Sequence, residues 1–479
     1  MVDIVHYFYH VDIPNDDAET WARARLALLD SLGCAVASYS SSAQCRAIVG
    51  PTVSGSSIPH GVHLPGTRYV LDPLKAAFDL GTMIRYLDHN DGYPGLEWGH
   101  PSDVLGAILA VADWQTRRAM AGDGGRRVRL KTILEATIKA YEVHCLFQHA
   151  NSLNRKGYDH TILVKVAAVV AVSWLLGMRE DQALAALSHV YMDGGLLRIY
   201  RQAPNTGPRK GWAAGDACMR AVHLALLVRA GQPGAPTVLS DPRWGFAAVL
   251  LGGRPFQLPF PYGTFAIRHS FFKLVAAEGH GISACHAAAA LAAQLRQRGV
   301  ADQSQRIVGL RIRTMKPAIA IIDKQGPLRN YADRDHCLSY MVAVVLLKGQ
   351  LPRAEDYHDD SPFARDPRVD RLRRATSAYE DPRLTADYYN PAKRTGAAGL
   401  TATLDDGEVL PEVLVEAPLG HSSHPETPAA VVAKLRENLA AAGFAPASAD
   451  RALEATEQDD YSVSDLMDIF WKGHGHGRL

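Results

Sequence analysis

The chain has 479 residues, with 51 Lys or Arg against 50 Asp or Glu, so its positive and negative charges nearly cancel. This balance argues against nucleic acid or an anionic membrane as a partner, because both require a strong positive field. The length exceeds what one ordinary core needs and predicts two or three domains.

The cysteines are scattered along the chain, and no two stand at a C-x-x-C spacing. They are Cys34, Cys45, Cys145, Cys218, Cys285 and Cys337. The spacing argues against a zinc site, a disulfide framework or an iron–sulfur cluster, so we expect reduced core cysteines and no metal or other cofactor. The N-terminus has no signal or transit-peptide character, and the longest apolar run, 166–178, is too short to span a membrane. These features predict a cytoplasmic protein without a membrane partner.

The first half of the chain has the periodicity of helices separated by Gly or Pro. The helix over Glu19–Ala37 follows the N-cap candidates Asn15, Asp16 and Asp17, and its apolar positions recur every three or four residues. Further helices are predicted at 72–88, 102–120, 130–149, 161–178, 181–193 and 213–230. No glycine motif for a dinucleotide or a P-loop phosphate occurs at a strand-to-helix junction. We therefore predict a large all-helical domain over residues 1–265.

The pattern becomes mixed from about residue 266. Residues 306–313 alternate like a half-buried strand, and segments 400–404 and 409–416 flank Asp405-Asp406-Gly407, which is a hairpin signal. Helices are predicted at 281–298 and 334–349, and again at 428–442 and 449–457. The overall prediction is a mainly α fold, in which a smaller α+β lid domain spans 266–417 and segment 418–479 returns to the helical domain.

The segment 84–113 is dense in polar and titratable side chains. It holds Asp88, Asp91, Tyr93, Glu97, Trp98, His100 and Asp103. Such groups are costly to bury unless they pair with each other or with a ligand, so this segment predicts a site. Four further clusters of polar residues lie at 151–165, 198–217, 268–280 and 321–340. They add His160 and His280 as possible proton carriers, and as cations Arg201, Arg209, Lys210, Arg268 and Lys273. This set suits a small polycarboxylate, because Arg and Lys neutralise carboxylates while a His or Asp transfers a proton.

Several unusual strings carry a family resemblance over essentially the whole chain. They are LDHND, EWGHPSD and ILAVADW within 87–114, NTGPRKGWAAGDA at 205–217, IIDKQGPL at 321–328, DRDHC at 333–337 and YMVAV at 340–344. In these strings the chain resembles the MmgE/PrpD family. The resemblance implies a helical domain with a smaller α+β lid domain, a homodimer, no metal, and a small tricarboxylate substrate. It also implies dehydration of 2-methylcitrate to 2-methyl-cis-aconitate in propionate breakdown.

The resemblance also assigns site residues position by position. The family's aspartates correspond to Asp88 and Asp91, and its histidines to His100 and His160. In the lid domain, a lysine, a histidine and a tyrosine correspond to Lys273, His280 and Tyr340. One departure is the string FKLVAAEGH at 272–280, which lacks an aromatic–proline pair that the family pattern contains.

The resemblance leaves other functions open. The family includes cis-aconitate decarboxylases and dicarboxylate epimerases, and a member without catalysis would bind carboxylates only. The string GPRKGW at 207–212 departs from the decarboxylase pattern of a lysine shortly before a histidine and a glycine. We therefore expect the dehydratase reaction, with these reactions as alternatives.

Most of the candidate residues also have a structural interpretation. Asp103 is expected to belong to an N-cap and salt-bridge network at the helix start that follows Pro101, and His160 could be a core histidine that caps the helix from Thr161. Arg209 and Lys210 could solvate a loop, and Tyr340 could belong to the core. Residues 333–336 are expected to form an ion-pair cluster at the lid surface or between the domains, not the catalytic set.

The expected chemistry divides the roles among these residues. His100 or His160 would protonate the leaving hydroxyl, and Asp88 or Asp91 would orient that histidine or act as the base. Lys273 and Arg209 would neutralise carboxylates. Substrate binding is also expected from Arg201, Lys210, Arg268 and Tyr340.

Overall fold

The computed structural model describes residues 1–193, 197–202, 205–300, 302–390 and 392–473. The chain forms two compact units. The helical unit contains Met1–Gln202, Arg209–Phe272 and the chain from Pro428 onward, and the mixed unit contains the short stretch that ends at Pro208 together with Lys273–Thr427. The domain limits at 265/266 and 417/418 stay a prediction, and residues 474–479 of the predicted returning segment lie outside the described residues.

The helical unit consists of α-helices joined by short turns and loops. The helices are Val2–His10, Ala18–Ser41, Ala43–Arg46, Pro73–Arg85, Leu105–Met120, Leu130–Ala150, Thr161–Leu175, Glu180–Met192, Arg209–Arg229, Phe246–Leu250, Phe265–His269, Thr427–Ala441, Pro446–Thr456 and Val463–Phe470. Short 3-10 turns lie at Pro101–Val104, Asn154–Lys156 and Ile199–Arg201. Two small antiparallel pairs join Val62–His63 to Val70–Leu71 and Tyr93–Pro94 to Trp98–Gly99.

The mixed unit contains one four-stranded sheet and several helices. The strands lie in the order Thr376–Glu380, Ile307–Thr314, Ala398–Leu404 and Val413–Val415. The helices are Ile282–Gln297, Gln303–Arg306, Lys316–Ile322, Tyr331–Arg334, Leu338–Lys348, Pro367–Ala375 and Pro382–Tyr389, with 3-10 turns at Gly279–Gly281 and Ala354–Tyr357. The mainly α fold with a smaller α+β part is confirmed.

One strand of this sheet was not predicted. Thr376–Glu380 pairs in parallel with Ile307–Thr314, whereas the other pairs in the sheet are antiparallel. The segment TSAYE is short, and none of its residues is fully buried, so it has no apolar alternation from which an edge strand could be recognised.

Local sequence explains where several helices begin. The Asp17 carboxylate accepts from the backbone N–H of Thr20, and Asp72, which precedes Pro73, accepts from two N–H groups of the next helix. The helix Thr161–Leu175 is apolar on all sides and almost fully buried, as a helix at the centre of a unit must be. Among the described residues, no helix combines the length and apolar character needed to cross a membrane.

Glycines bring three helices of the helical unit into close contact. An added Cβ on Gly215 would lie 2.3 Å from the Phe78 carbonyl oxygen, and one on Gly106 would lie 2.6 Å from the Gly81 Cα. These contacts fix the end of Pro73–Arg85 beside the start of Arg209–Arg229. The helix ends thereby bring the side chains of Arg85 and Lys210 into the same region.

We predict that Gly215→Ala destabilises the protein by about 1–3 kcal/mol, the usual cost of overpacking a tight core. The new methyl group would meet backbone oxygen, which cannot move as a flexible side chain can. Thermal or chemical denaturation measures the effect. The matched control is Gly309→Ala, whose Cβ would stand at an ordinary 3.6 Å from Thr403, and equal stability of the two variants would contradict the prediction.

Candidate active site

Asp88 lies at the centre of a buried cluster of charges in the helical unit. Its backbone is left-handed, with φ at +54°, and the residue is 2% exposed. One carboxylate oxygen lies 2.7 Å from Arg85 Nη1, and the other lies 3.7 Å from Lys210 Nζ. A buried carboxylate is stable only when cations or donors compensate its charge, and these two cations do so here.

His100 is held beside Asp88 in a defined tautomer. Its Nδ1 lies 2.7 Å from the backbone carbonyl oxygen of Asp91, and a carbonyl can only accept, so Nδ1 carries the proton. In the neutral ring Nε2 therefore has the lone pair, and it lies 4.0 Å from Asp88 Oδ1. The histidine is 3% exposed, so its ring orientation is fixed by protein contacts. This arrangement gives His100 a nitrogen that can accept a proton.

The side chain of Asp91 fastens the loop to the following helical turn. Its Oδ1 accepts from the backbone N–H of Ser102 at 3.1 Å, while its backbone oxygen orients His100. Burial raises the pKa of Asp91 to about 6, against the lowering effect of its hydrogen bonds. Asp91 thus acts on His100 through its backbone, and the geometry favours an orienting role over a role as base.

Asp103 belongs to a salt-bridge network, as predicted, but it does not cap the helix. It lies inside the 3-10 turn Pro101–Val104, where Oδ1 accepts from Asn90 Nδ2 at 2.9 Å and Oδ2 stands 4.0 Å from Arg85 Nε. Burial raises the pKa of Asp103 to about 7, although the charge of Arg85 opposes this. Asn90 also donates to Ser102, so these residues form one buried polar network around the cluster.

His160 lies next to His100, with the ring centroids 5.8 Å apart. Burial lowers the pKa of His160 well below its ordinary value, so the ring is neutral. It does not cap its helix by a side-chain bond, because the Asp159 carboxylate accepts from the Thr161 N–H instead. Among the described residues, His160 Nε2 has no hydrogen-bond partner.

Arg201 pairs with Asp159 in a two-pronged ion pair. Its Nε and Nη2 lie 2.5 and 3.2 Å from the two carboxylate oxygens; the Asp159 side chain is fully buried, and that of Arg201 is 9% exposed. Burial would raise the pKa of Asp159, but the charge of Arg201 outweighs it and holds that pKa far below its ordinary value. The Arg201 charge is thus already neutralised within the protein, and its binding role stays a prediction.

The other predicted residues of the helical unit have different surroundings. Lys210 is 1% exposed and belongs to the cluster around Asp88, so its interpretation as a loop-solvating residue is wrong. The guanidinium of Arg209 lies over the rings of Tyr200 and Trp212. Arg268 donates to the Thr264 carbonyl within its own short helix. A site role of Arg209 and Arg268 remains a prediction.

The mixed unit holds His280 in a buried chain of hydrogen bonds. His280 Nδ1 lies 2.7 Å from Glu278 Oε1, and Nε2 lies 3.0 Å from the hydroxyl of Tyr388. Burial would raise the pKa of Glu278, but the charges of His280, His336 and Lys273 hold it at about 2. Glu278 fixes a proton on Nδ1, and Nε2 lies within hydrogen-bond distance of the Tyr388 hydroxyl. Both ring nitrogens are therefore engaged inside this unit.

Lys273 and Tyr340 also lie in the mixed unit. Lys273 is 1% exposed, and its charge acts on Glu278. The hydroxyl of Tyr340 donates to the Asp356 carbonyl at 2.9 Å, as expected for a residue of the core.

The ion pairs predicted within 333–336 are present. Lys324 pairs with Asp333, Arg334 with Asp359, and His336 with Asp335. Arg334, Asp335 and His336 are buried, which contradicts the lid-surface alternative, and the alternative of a cluster between the domains stays a prediction.

Sequence reasoning missed several residues around these groups. They are Arg85, Asn90, Asp159, Glu278 and Tyr388. Arg85 had a local signal, because it stands three residues before Asp88 at a helix end. The partner of Arg201, Asp159, and one partner of His280, Tyr388, are far away in sequence. Glu278 is close to His280 but has the pattern of an ordinary loop residue, so no sequence signal indicated these partners.

Comparison with known proteins places the chain among proteins of one family. A family model for the MmgE/PrpD N-terminal domain matches residues 2–259, and one for the MmgE/PrpD C-terminal domain matches residues 275–460.

Three relatives match nearly all of the chain. It is 50% identical over 472 residues to the "2-methylcitrate dehydratase-like protein oryR" of Aspergillus oryzae, covering 98% of this chain and 94% of that protein. It is 48% identical over 470 residues to the "alkylcitrate dehydratase phiI" of a fungus described as Fungal sp., covering 98% and 92%. It is 43% identical over 473 residues to the "2-methylcitrate dehydratase, mitochondrial" of Yarrowia lipolytica, covering 98% and 89%.

We predict that Asp159→Asn destabilises the protein by about 3–5 kcal/mol at neutral pH, because Arg201 would be left as an uncompensated buried charge. The pKa of Asp159 is lowered in the folded state, so its contribution is present above the pKa of an unfolded aspartate, about 4, and decreases as the pH falls below that value. Denaturant unfolding at several pH values measures both effects. A difference between wild type and variant that grows on acidification would contradict the assignment.

Proposed function

This chain belongs to the MmgE/PrpD family, and on that premise we propose that it is a hydro-lyase that converts 2-methylcitrate to 2-methyl-cis-aconitate, a step of propionate breakdown. The relatives that carry the dehydratase name match it over nearly its full length. The observation that carries the proposal is the buried His100, whose Nε2 lone pair is directed by the bond from Nδ1 to the Asp91 carbonyl.

Elimination of water requires a base, an acid and stabilisation of negative charge. We propose that His100 Nε2 removes the carbon-bound proton, and that the released electron pair forms the double bond as hydroxide leaves. In this scheme Asp91 and Asp88 orient and polarise His100 rather than remove the proton themselves. The hydroxide takes up a proton and departs as water.

His160 is the proposed acid for the leaving hydroxyl. Burial keeps its ring neutral, but a bound tricarboxylate would bring negative charge and favour the protonated form. Substrate binding would therefore load the proton that the reaction needs. Arg201 contributes indirectly, because it holds Asp159 beside His160.

The cations are proposed to bind the substrate carboxylates. Arg85 and Lys210 flank Asp88 and are buried, where a charge interacts strongly with an anion. Lys273 is a further proposed cation. Roles for His280, Tyr340, Arg209 and Arg268 stay part of the proposal and require tests of their own.

A second candidate substrate is a citrate with a longer alkyl chain. This candidate is favoured by the relative named alkylcitrate dehydratase, which is 48% identical over 98% of the chain. The bond-breaking chemistry would be the same, and only the apolar contacts of the alkyl group would differ. One extra methylene in an apolar pocket is worth about 1–3 kcal/mol, so a series of chain lengths discriminates the two substrates.

We further propose that the protein is a cytoplasmic homodimer. Support for association comes from large apolar side chains of the helical unit that are 57–73% exposed, namely Leu197, Ile199, Trp244 and Val249. Large apolar side chains with this degree of exposure are candidates for a protein interface. Sedimentation velocity should give the mass of two chains for the wild type and of one chain for Trp244→Glu. A monomeric wild type would contradict the proposal.

The reaction is tested by incubating the purified protein with 2-methylcitrate, longer 2-alkylcitrates, citrate and cis-aconitate. We expect absorbance of an unsaturated product from an alkylcitrate, no release of carbon dioxide, and no loss of rate with a metal chelator. The chelator result is expected because no two cysteines stand at a spacing that would hold zinc or an iron–sulfur cluster. Carbon dioxide released from cis-aconitate would identify a decarboxylase instead, and isomerisation of a dicarboxylate would identify an epimerase.

We predict that His100→Asn lowers kcat at least about a hundredfold, because removal of a general base usually costs that much. The matched control is His189→Asn, a half-buried histidine near the end of the helix Glu180–Met192 whose Nε2 lies 2.9 Å from the Pro233 carbonyl oxygen. That variant should keep normal turnover. Steady-state kinetics measures both, and near-normal kcat in His100→Asn with an intact fold would contradict the base assignment.

A further inference from the structure

The turn that carries Asp88 and Asp91 is attached to a distant part of the chain through Lys434. This lysine lies on the helix Thr427–Ala441, and its Nζ donates to the backbone carbonyl of His89 at 2.6 Å. The same Nζ lies 2.7 Å from Asp30 Oδ1 on the helix Ala18–Ser41. Lys434 is 6% exposed and Asp30 is 2% exposed, so the pair is buried.

The turn needs such a support because its conformation is an uncommon one. Asp88 is left-handed, which a residue other than glycine adopts only where its surroundings fix it. His89 follows directly, and Asp91 then presents the carbonyl that orients His100. A displacement of the His89 carbonyl would therefore move both the Asp88 carboxylate and the group that fixes the His100 ring.

The Lys434 ammonium is suited to this task. The charge of Asp30 outweighs burial and raises the pKa of Lys434, so the donor to the His89 carbonyl stays protonated. Close packing also defines where the lysine lies, because Leu435 approaches Gly33 so closely that an added Cβ there would stand 3.1 Å from Leu435 Cδ1. The helix beside Lys434 thus has little freedom to shift.

We propose that Lys434 is a positioning residue for the dehydration reaction, which acts by holding the His89 carbonyl and thereby the placement of Asp88 and His100. The inference rests on the proposed function for its effect on turnover. The claim that Lys434 holds the turn in place concerns the structure alone and does not depend on the substrate.

The test separates positioning from stability by comparing a single with a double variant. Lys434→Met leaves Asp30 as an unpaired buried charge, so it should lose stability as well as turnover. Asp30→Leu/Lys434→Met removes the whole pair and should recover most of the thermal stability. The His89 carbonyl still lacks its donor in the double variant, so kcat should stay on the order of a hundredfold below wild type, with KM much less affected.

The control is a matched lysine elsewhere in the helical unit. Lys139 is also buried, donates to the Phe8 carbonyl at 3.0 Å and lies 2.7 Å from Glu135. Glu135→Gln/Lys139→Met removes the same kinds of contact at another place and should keep wild-type kcat. A double variant at Asp30 and Lys434 that matches this control in kcat would overturn the proposal.

Hydrogen exchange gives a second readout that requires no substrate. The amides of Asp88 and Gly92 are bonded to the carbonyls of Arg85 and Phe271. Exchange over 86–92 should become faster in Asp30→Leu/Lys434→Met and remain unchanged in the control. Unchanged exchange there would overturn the positioning role, whereas a wild type that dehydrates neither 2-methylcitrate nor a longer 2-alkylcitrate would overturn only the proposed function.

Discussion

Burial of the Asp88 carboxylate between two cations is the interaction on which the region around it depends. An unpaired ion in a protein interior costs several kcal/mol, and breaking a buried pair costs about 3–5 kcal/mol. Arg85 and Lys210 supply the compensating charge from two different helices, which the glycine contacts hold close together. The compensation of the Asp88 charge therefore depends on the close packing of these two helices. A change in either is expected to affect the other.

The same burial sets the protonation of the groups around Asp88. Burial raises the pKa of Asp91 and Asp103 to about 6 and 7, and it lowers the pKa of His160. Asp159 behaves in the opposite way, because Arg201 is bound to it directly. A bound tricarboxylate would bring negative charge beside these neutral histidines, and that charge favours a proton on His160. This coupling between substrate charge and proton loading is the basis of the proposed elimination.

Helix positions and the polar segment were the parts that the sequence predicted well. The periodicity over 130–149 corresponds to the helix Leu130–Ala150, and the density of titratable groups in 84–113 marked the segment that holds Asp88 and His100. Both signals are local, since one arises from a repeat of three or four residues and the other from composition.

The partners of these groups could not be predicted in the same way. Lys434 supports the His89 carbonyl from the C-terminal part of the chain, and Arg201 pairs with Asp159 across a gap of unrelated sequence. Such contacts depend on which helices pack together, and periodicity within one helix does not contain that information. The capping role predicted for Asp103 is wrong for the same reason, because its partners Asn90 and Arg85 lie in a preceding loop and helix.

The claim that Asp91 fixes the tautomer of His100 is tested most directly by nitrogen-15 NMR of histidine-labelled protein, with His100→Asn identifying the signal. At a pH where the ring is neutral, we predict a protonated Nδ1 and an unprotonated Nε2. A protonated Nε2 with a bare Nδ1 would contradict this claim, because His100 would then have no lone pair directed at the proton it is proposed to remove.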